Sequence, residues 1–141
     1  MALIYVEQLE EMDVNEMQTT HENEMKILNE IEKLATLYEM KRSDATELDK
    51  KLNEYVVHVK KHFANEEELM KKYDFPSYTM HKTAHDAFLE DLNHSSREWK
   101  NFGDYKKIIN FIRKTPEWIV LHVNSVDAPT ANYLAKKMQE E

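Results

Sequence analysis

Residues 62–88 read HFANEEELMKKYDFPSYTMHKTAHDAF. Read at helical spacing, their histidines fall where a bundle helix carries leucines. Upstream of Pro76 the inner seam runs Leu48, Leu52, Tyr55, Val59, His62, Glu66, Leu69, Tyr73, in steps of three and four. Downstream it runs Tyr78, His81, His85, Phe88, Leu92, Ser95, Trp99. This predicts two long helices, over residues 45–73 and 77–101, broken at DFPS because proline stops one helix and restricts the residue before it. Gly103 is placed to cap the second at its C-terminus.

Outward from this stretch the same period recurs. In a first helix, residues 14–40, Met17, His21, Leu28, Ile31, Ala35 and Tyr38 share a face widened by Met25, Ile27 and Leu34. Ser43 or Asp44 can cap the helix that follows. A fourth helix holds Ile108, Ile109, Phe111 and Ile112. At Pro116 it either kinks or gives way to a new helix capped by Thr115, before Trp118, Ile119 and His122. A short helix is expected from Pro129, carrying Tyr133 and Leu134. The chain has one Gly and three Pro, too few turn residues for strands and hairpins. The expected fold is all-α: an antiparallel up-down-up-down four-helix bundle with a short C-terminal helical extension.

The 141 residues suit one domain, with enough core to need no staples. There is no cysteine, hence no disulfide framework and no thiolate metal site. A formal charge of -8 disfavours nucleic acid and anionic membranes as partners. No apolar run is long enough to span a bilayer, and the start MALIYVEQLEEMD lacks the basic region of a signal peptide. A cytoplasmic location is expected.

His21, His62, Glu66, His81, His85 and His122 all fall on inner faces, drawn from four helices. An unpaired polar group buried there costs roughly several kcal/mol. Core histidines can satisfy one another, or bond carboxylates or water. A metal satisfies a whole constellation at once, because imidazole and carboxylate suit iron, zinc, copper or nickel. Residues four apart stack on one helix face, so His62 with Glu66, and His81 with His85, can each share a centre. His58 flanks the seam and His94 points outward, so both are expected at the rim or in solvent.

The string H-F-x-x-E-E-x-x-M, then Pro, then H-x-x-x-H-x-x-F resembles the signature of single-domain bacterial hemerythrins. It is carried by His62, Phe63, Glu66, Glu67, Met70, Pro76, His81, His85 and Phe88. The family's upstream histidine is matched by His21, and its W-x-x-x-H-x-x-x-x-D by Trp118, His122 and Asp127. The resemblance implies a single hemerythrin-like domain over residues 1–141 and a centre of two Fe ions bridged by an oxo or hydroxo group. His81, His85 and His122 would bind one iron, His21 and His62 the other, with Glu66 and Asp127 bridging. Asp127 rests on the resemblance: five residues after His122 is about 140° around an ideal helix, so a widened turn or helix end near Pro129 must aim it inward.

Of twelve positions on two octahedral irons, this ligand set leaves one open, on the iron of His21 and His62. The family binds O2 there, and Phe63 and Ile119 are the candidate walls of a dry pocket. The implied function is reversible O2 binding for storage, delivery or scavenging, not enzymatic turnover. The alternatives are a di-iron redox enzyme acting on peroxide or nitric oxide, and an O2 sensor with a separate partner. Ferritin-like iron oxidation is disfavoured because the chain has no Glu-x-x-His. One departure stands out. Where the family places an apolar residue three positions after the first histidine, this chain has Glu24. Glu24 is expected to swing to solvent or to a basic neighbour, with the exposed rotamer favoured; the other reading makes it a further ligand or a proton relay at the open position.

Overall fold

A computed structural model of the protein describes residues 14–41 and 44–140. Four long helices follow one another: α1 Asn15–Glu39, α2 Ala45–Lys72, α3 Tyr78–Phe102 and α4 Tyr105–His122. A π-helical segment, Val123–Asp127, joins α4 to α5, Ala128–Gln139. No strand occurs among the described residues, and none of their helices is long and apolar enough to cross a membrane. α1 packs on α2, α2 on α3, α3 on α4 and α4 back on α1, while α5 lies against α2. The links at 40–44, 73–77 and 103–104 are short, so each long helix reverses the one before it. The result is the expected antiparallel bundle with a C-terminal helical extension.

Local chemistry sets the boundaries. The Asp44 carboxylate accepts the Thr46 N–H at 2.9 Å and caps α2; Ser43, the other candidate, lies outside the described residues. Gly103 takes the left-handed conformation, φ 66, and the N–H groups of Gly103 and Asp104 satisfy the carbonyls of Trp99 and Glu98 at the end of α3. The Tyr133 hydroxyl donates to the Tyr73 carbonyl at 2.8 Å and ties α5 to the end of α2. The fourth helix departs from one expectation. It runs through Pro116 without restarting, and the Thr115 hydroxyl donates to the Phe111 carbonyl at 2.8 Å, so it is not a cap.

Antiparallel order gathers the histidines. His21 lies early in α1, His62 late in α2, His81 and His85 early in α3, and His122 closes α4, so all reach the same end of the bundle. The other end is apolar. Leu28, Ile31, Leu92 and Ile112 are fully buried there, each contributing about 1.5–3 kcal/mol through burial. This aliphatic half holds the helices in register, so that their polar half meets side chain to side chain.

Candidate metal centre

The site is built from one or two residues per helix. His62 and Glu66 sit one turn apart on α2, His81 and His85 one turn apart on α3, and His21 faces them from α1. His122 ends α4, and Asp127 ends the π-helical segment. All seven are buried, none more than 6% exposed. Asp127 faces inward because the segment bonds i to i+5: the Ala128 N–H reaches the Val123 carbonyl. Pro129 explains the widening. It has no N–H for the carbonyl four residues back, and its ring crowds that position.

Each carboxylate is divided between two groups of histidines. Glu66 Oε1 lies 3.3 Å from Nε2 of both His81 and His85, while its Oε2 lies 2.6 Å from His62 Nε2 and 3.9 Å from His21 Nε2. Asp127 Oδ1 lies 2.9 Å from His81 Nε2 and 3.0 Å from His122 Nε2, while its Oδ2 lies 3.0 Å from His21 Nε2. Two sets of donor atoms result, His81, His85, His122 and Asp127 in one, His21, His62, Glu66 and Asp127 in the other. Within each set the atoms lie within 4.8 Å of one another.

The first set fits a cation by its deficits. Nε2 of His81, His85 and His122, with Glu66 Oε1 and Asp127 Oδ1, are buried yet lack an aligned hydrogen bond. Buried polar atoms are almost always bonded, and five orphans converging from four elements call for a common partner. Without a metal, protons supply the balance. Burial works against charge on Glu66, but the adjoining His62 outweighs it and holds the carboxyl well below the usual range. Asp127 is also held low: His122, His21 and His81 outweigh its burial and the Glu66 charge. Burial would lower His81, yet Asp127 and Glu66 raise it to about 9.

Partners behind the rings fix which nitrogen faces inward. The Thr130 hydroxyl gives its hydrogen to the Val126 carbonyl at 2.9 Å, so at 2.9 Å from His81 Nδ1 it accepts. Glu67 Oε2 lies 3.1 Å from His85 Nδ1, and Glu24 Oε1 lies 3.1 Å from His62 Nδ1. A carboxylate only accepts, so in all three rings Nδ1 donates outward, and Nε2, on giving up its own proton, is the nitrogen that can take a metal. Phe63 stacks flat on His85 at 3.8 Å and Trp118 on His122 at 4.3 Å, which fixes the ring planes.

Beside His21 and His62 is a small cavity, large enough for about one water-sized molecule. Its apolar walls are Phe63, Trp118, Ile119 and Val123, and Glu24, His122 and Asp127 complete its polar side.

The profile of the hemerythrin HHE cation binding domain matches residues 12–128. The chain belongs to the hemerythrin family. It is 31% identical over 120 residues to a bacteriohemerythrin of Aquifex aeolicus (strain VF5), covering 84% of this chain and 87% of that one. It is 31% identical over 97 residues to a bacteriohemerythrin of Ralstonia nicotianae, covering 67% and 70%. A crystal structure of a hemerythrin point mutant superposes with a TM-score of 0.83 at 21% identity, covering 96% of this chain and 99% of that one; at that identity it shows the shared fold.

The structure brings all seven expected positions together and sets Phe63 and Ile119 at the cavity. Their supports are not legible as such in the sequence. Tyr55 stands in the inner seam and Glu67 in the signature string, but neither pattern names the side chain it meets, and Thr130 carries no signal in the linear sequence. Glu24 does not take the exposed rotamer: it is 6% exposed rather than turned to solvent. The reason is that His62 Nδ1 and the Tyr55 hydroxyl, 3.5 Å from Oε2, offer it donors inside the bundle. His58 lies half-buried at the rim, its Nε2 3.9 Å from Glu24, and His94 is exposed, both as expected.

Proposed function

We propose that this hemerythrin holds two iron ions and binds O2 reversibly at one open position, as a storage, delivery or scavenging protein rather than an enzyme. His81, His85 and His122 would hold one iron and His21 and His62 the other. Glu66 and Asp127 would bridge them, with an oxo or hydroxo group as the remaining bridge. The reading is carried by one observation: each carboxylate gives one oxygen to each histidine group. The unequal groups, three histidines against two, support an open position on the side of His21 and His62, where the cavity lies.

When bound, the iron pair supplies the two electrons that O2 takes up and returns on release. The chain supplies the rest. Thr130, Glu67 and Glu24 hold three imidazoles with Nε2 inward. Phe63, Trp118, Ile119 and Val123 keep water from the cavity, which discourages protonation of what binds there. The test is metal analysis with optical spectroscopy. About two irons per chain are expected, the number seven inner ligands serve. The reduced protein should gain a visible band on exposure to O2 and lose it under argon. Stoichiometric zinc with no iron after growth in iron-rich medium, or a band that never reverses, overturns the reading.

Glu24 favours a second reading, a redox enzyme acting on peroxide or nitric oxide, because it sets a carboxylate in the cavity wall. Sustained consumption of either substrate under a reductant, with no reversible oxygenated form, would select it.

A further inference from the structure

We propose that Glu24 is a positioning residue for the His21 and His62 half of the centre: it holds the His62 ring so that Nε2, not Nδ1, faces the metal. The identity of the metal rests on the di-iron reading; the role of Glu24 rests on geometry. Glu24 is buried, and its two oxygens are used separately. Oε1 accepts from His62 Nδ1 at 3.1 Å, and Oε2 faces the hydroxyl of the fully buried Tyr55 at 3.5 Å. The opposite nitrogen, Nε2, meets Glu66 Oε2 at 2.6 Å on the side of the centre. An apolar residue at position 24 would leave a buried Nδ1–H without an acceptor, and the ring could turn to seek another.

The distribution of supports points the same way. In the group of three histidines, Thr130 holds His81 and Glu67 holds His85. In the group of two, His21 Nδ1 has no hydrogen-bond partner, so the anchor of that half is Glu24. His58 Nε2, 3.9 Å from Glu24 Oε1, is beyond hydrogen-bond range and does not compete for it. Glu24, His58 and His62 also lie close enough to share a cation. A cation there would take Nδ1 of His62 and exclude the positioning role, so the experiment separates the two.

Wild type, Glu24→Leu and Glu24→Gln are titrated anaerobically with ferrous iron against a chromophoric chelator, and the His62 ring protons are followed by NMR in metal-free protein. Glu24→Leu should weaken one of the two iron equivalents about 10–100-fold and leave the other unchanged. Glu24→Gln keeps an accepting oxygen and should recover most of the loss. The His62 Nδ1 proton should be hydrogen-bonded and slow to exchange in wild type and Glu24→Gln, and lose both properties in Glu24→Leu. A packing role alone would lower thermal stability without separating the two equivalents and without rescue by glutamine. Equal iron affinities in wild type and Glu24→Leu overturn the proposal. So does a third equivalent in wild type that disappears in His58→Ala. If wild type takes up no iron, the di-iron reading fails, while the His62 Nδ1 resonance still decides the role of Glu24.

Discussion

His62 meets a carboxylate at each ring nitrogen, Glu66 at 2.6 Å and Glu24 at 3.1 Å, and these contacts have different fates when a metal binds. The Nε2 contact must open to admit the metal, while the Nδ1 contact can persist. His58, one turn earlier, hydrogen-bonds neither carboxylate, its Nε2 standing 3.9 Å from Glu24 Oε1, and sits half-buried at the rim. His62→Ala is therefore expected to lose about one iron per chain, the share of its half of a two-metal centre. His58→Ala should keep both. Metal analysis of the purified variants decides it, and equal losses would mean that His58 is a ligand too. The phase of these residues was legible in the sequence, because a seam with steps of three and four admits His62 and sets His58 beside it. The rotamer of Glu24 was not. Its position, one turn from His21, could be read, but its donors Tyr55 and His62 lie 31 and 38 positions away on another helix. A long side chain of that kind takes its direction from neighbours that linear spacing does not name.

At the scale of elements, the chain reads clearly where one rule acts and poorly where two compete. Gly103 is the clear case: a positive φ ends α3, and only glycine enters that region without penalty. A Cβ there would meet nothing within 4 Å, so the cost of Gly103→Ala is conformational alone, about 1–2 kcal/mol. Urea unfolding should show that loss with iron loading unchanged; a loss near zero would mean the turn relaxes into another conformation. Pro116 and Pro129 are the competing cases. Both interrupt a helical pattern, and both offer a kink, a stop or a start. At Pro116 the apolar face of Ile112 and Ile119 continues on both sides, and tertiary packing holds the helix through it. At Pro129 the chain widens to a π turn instead. There the family resemblance, which names Asp127, implies a widened turn or a helix end, and the structure has a bond from residue i+5 to i. Periodicity alone does not single out Asp127, and the hydrogen bonding of the turn could not be read.

For the whole molecule, the bundle was legible because four amphipathic patterns and short links leave little choice of topology. What joins α1 to α4 beyond the apolar core, at the end away from the histidines, was not, since it consists of exposed and half-buried polar side chains. Arg113 of α4 grips Glu32 of α1 with two bonds, at 2.9 and 3.0 Å, and reaches Glu39 at 2.6 Å. The Tyr105 hydroxyl also donates to Glu39. Burial and that bond to Glu39 raise Tyr105 well above the ordinary tyrosine range. The bonds from Tyr105 and Arg113 hold Glu39 below the ordinary carboxylate range. The two shifts act at opposite ends of the pH scale. Glu39, lowered in the folded state, contributes stability above its unfolded pKa and loses it as pH falls through the folded value. Tyr105, raised in the folded state, keeps its proton above about pH 10 while the unfolded chain releases it, so stability falls as pH rises past that point. Tyr55 shifts upward too, through burial and then the charge of Glu24, and adds to the alkaline loss. Tyr105→Phe removes one of these two protons and leaves the other. Its urea midpoint should fall less between pH 9 and 11 than that of wild type, about those values bracketing the ordinary tyrosine pKa. Parallel alkaline slopes in the two proteins would show that Tyr105 is not held by Glu39 in solution, and that α1 and α4 are joined there by Arg113 alone.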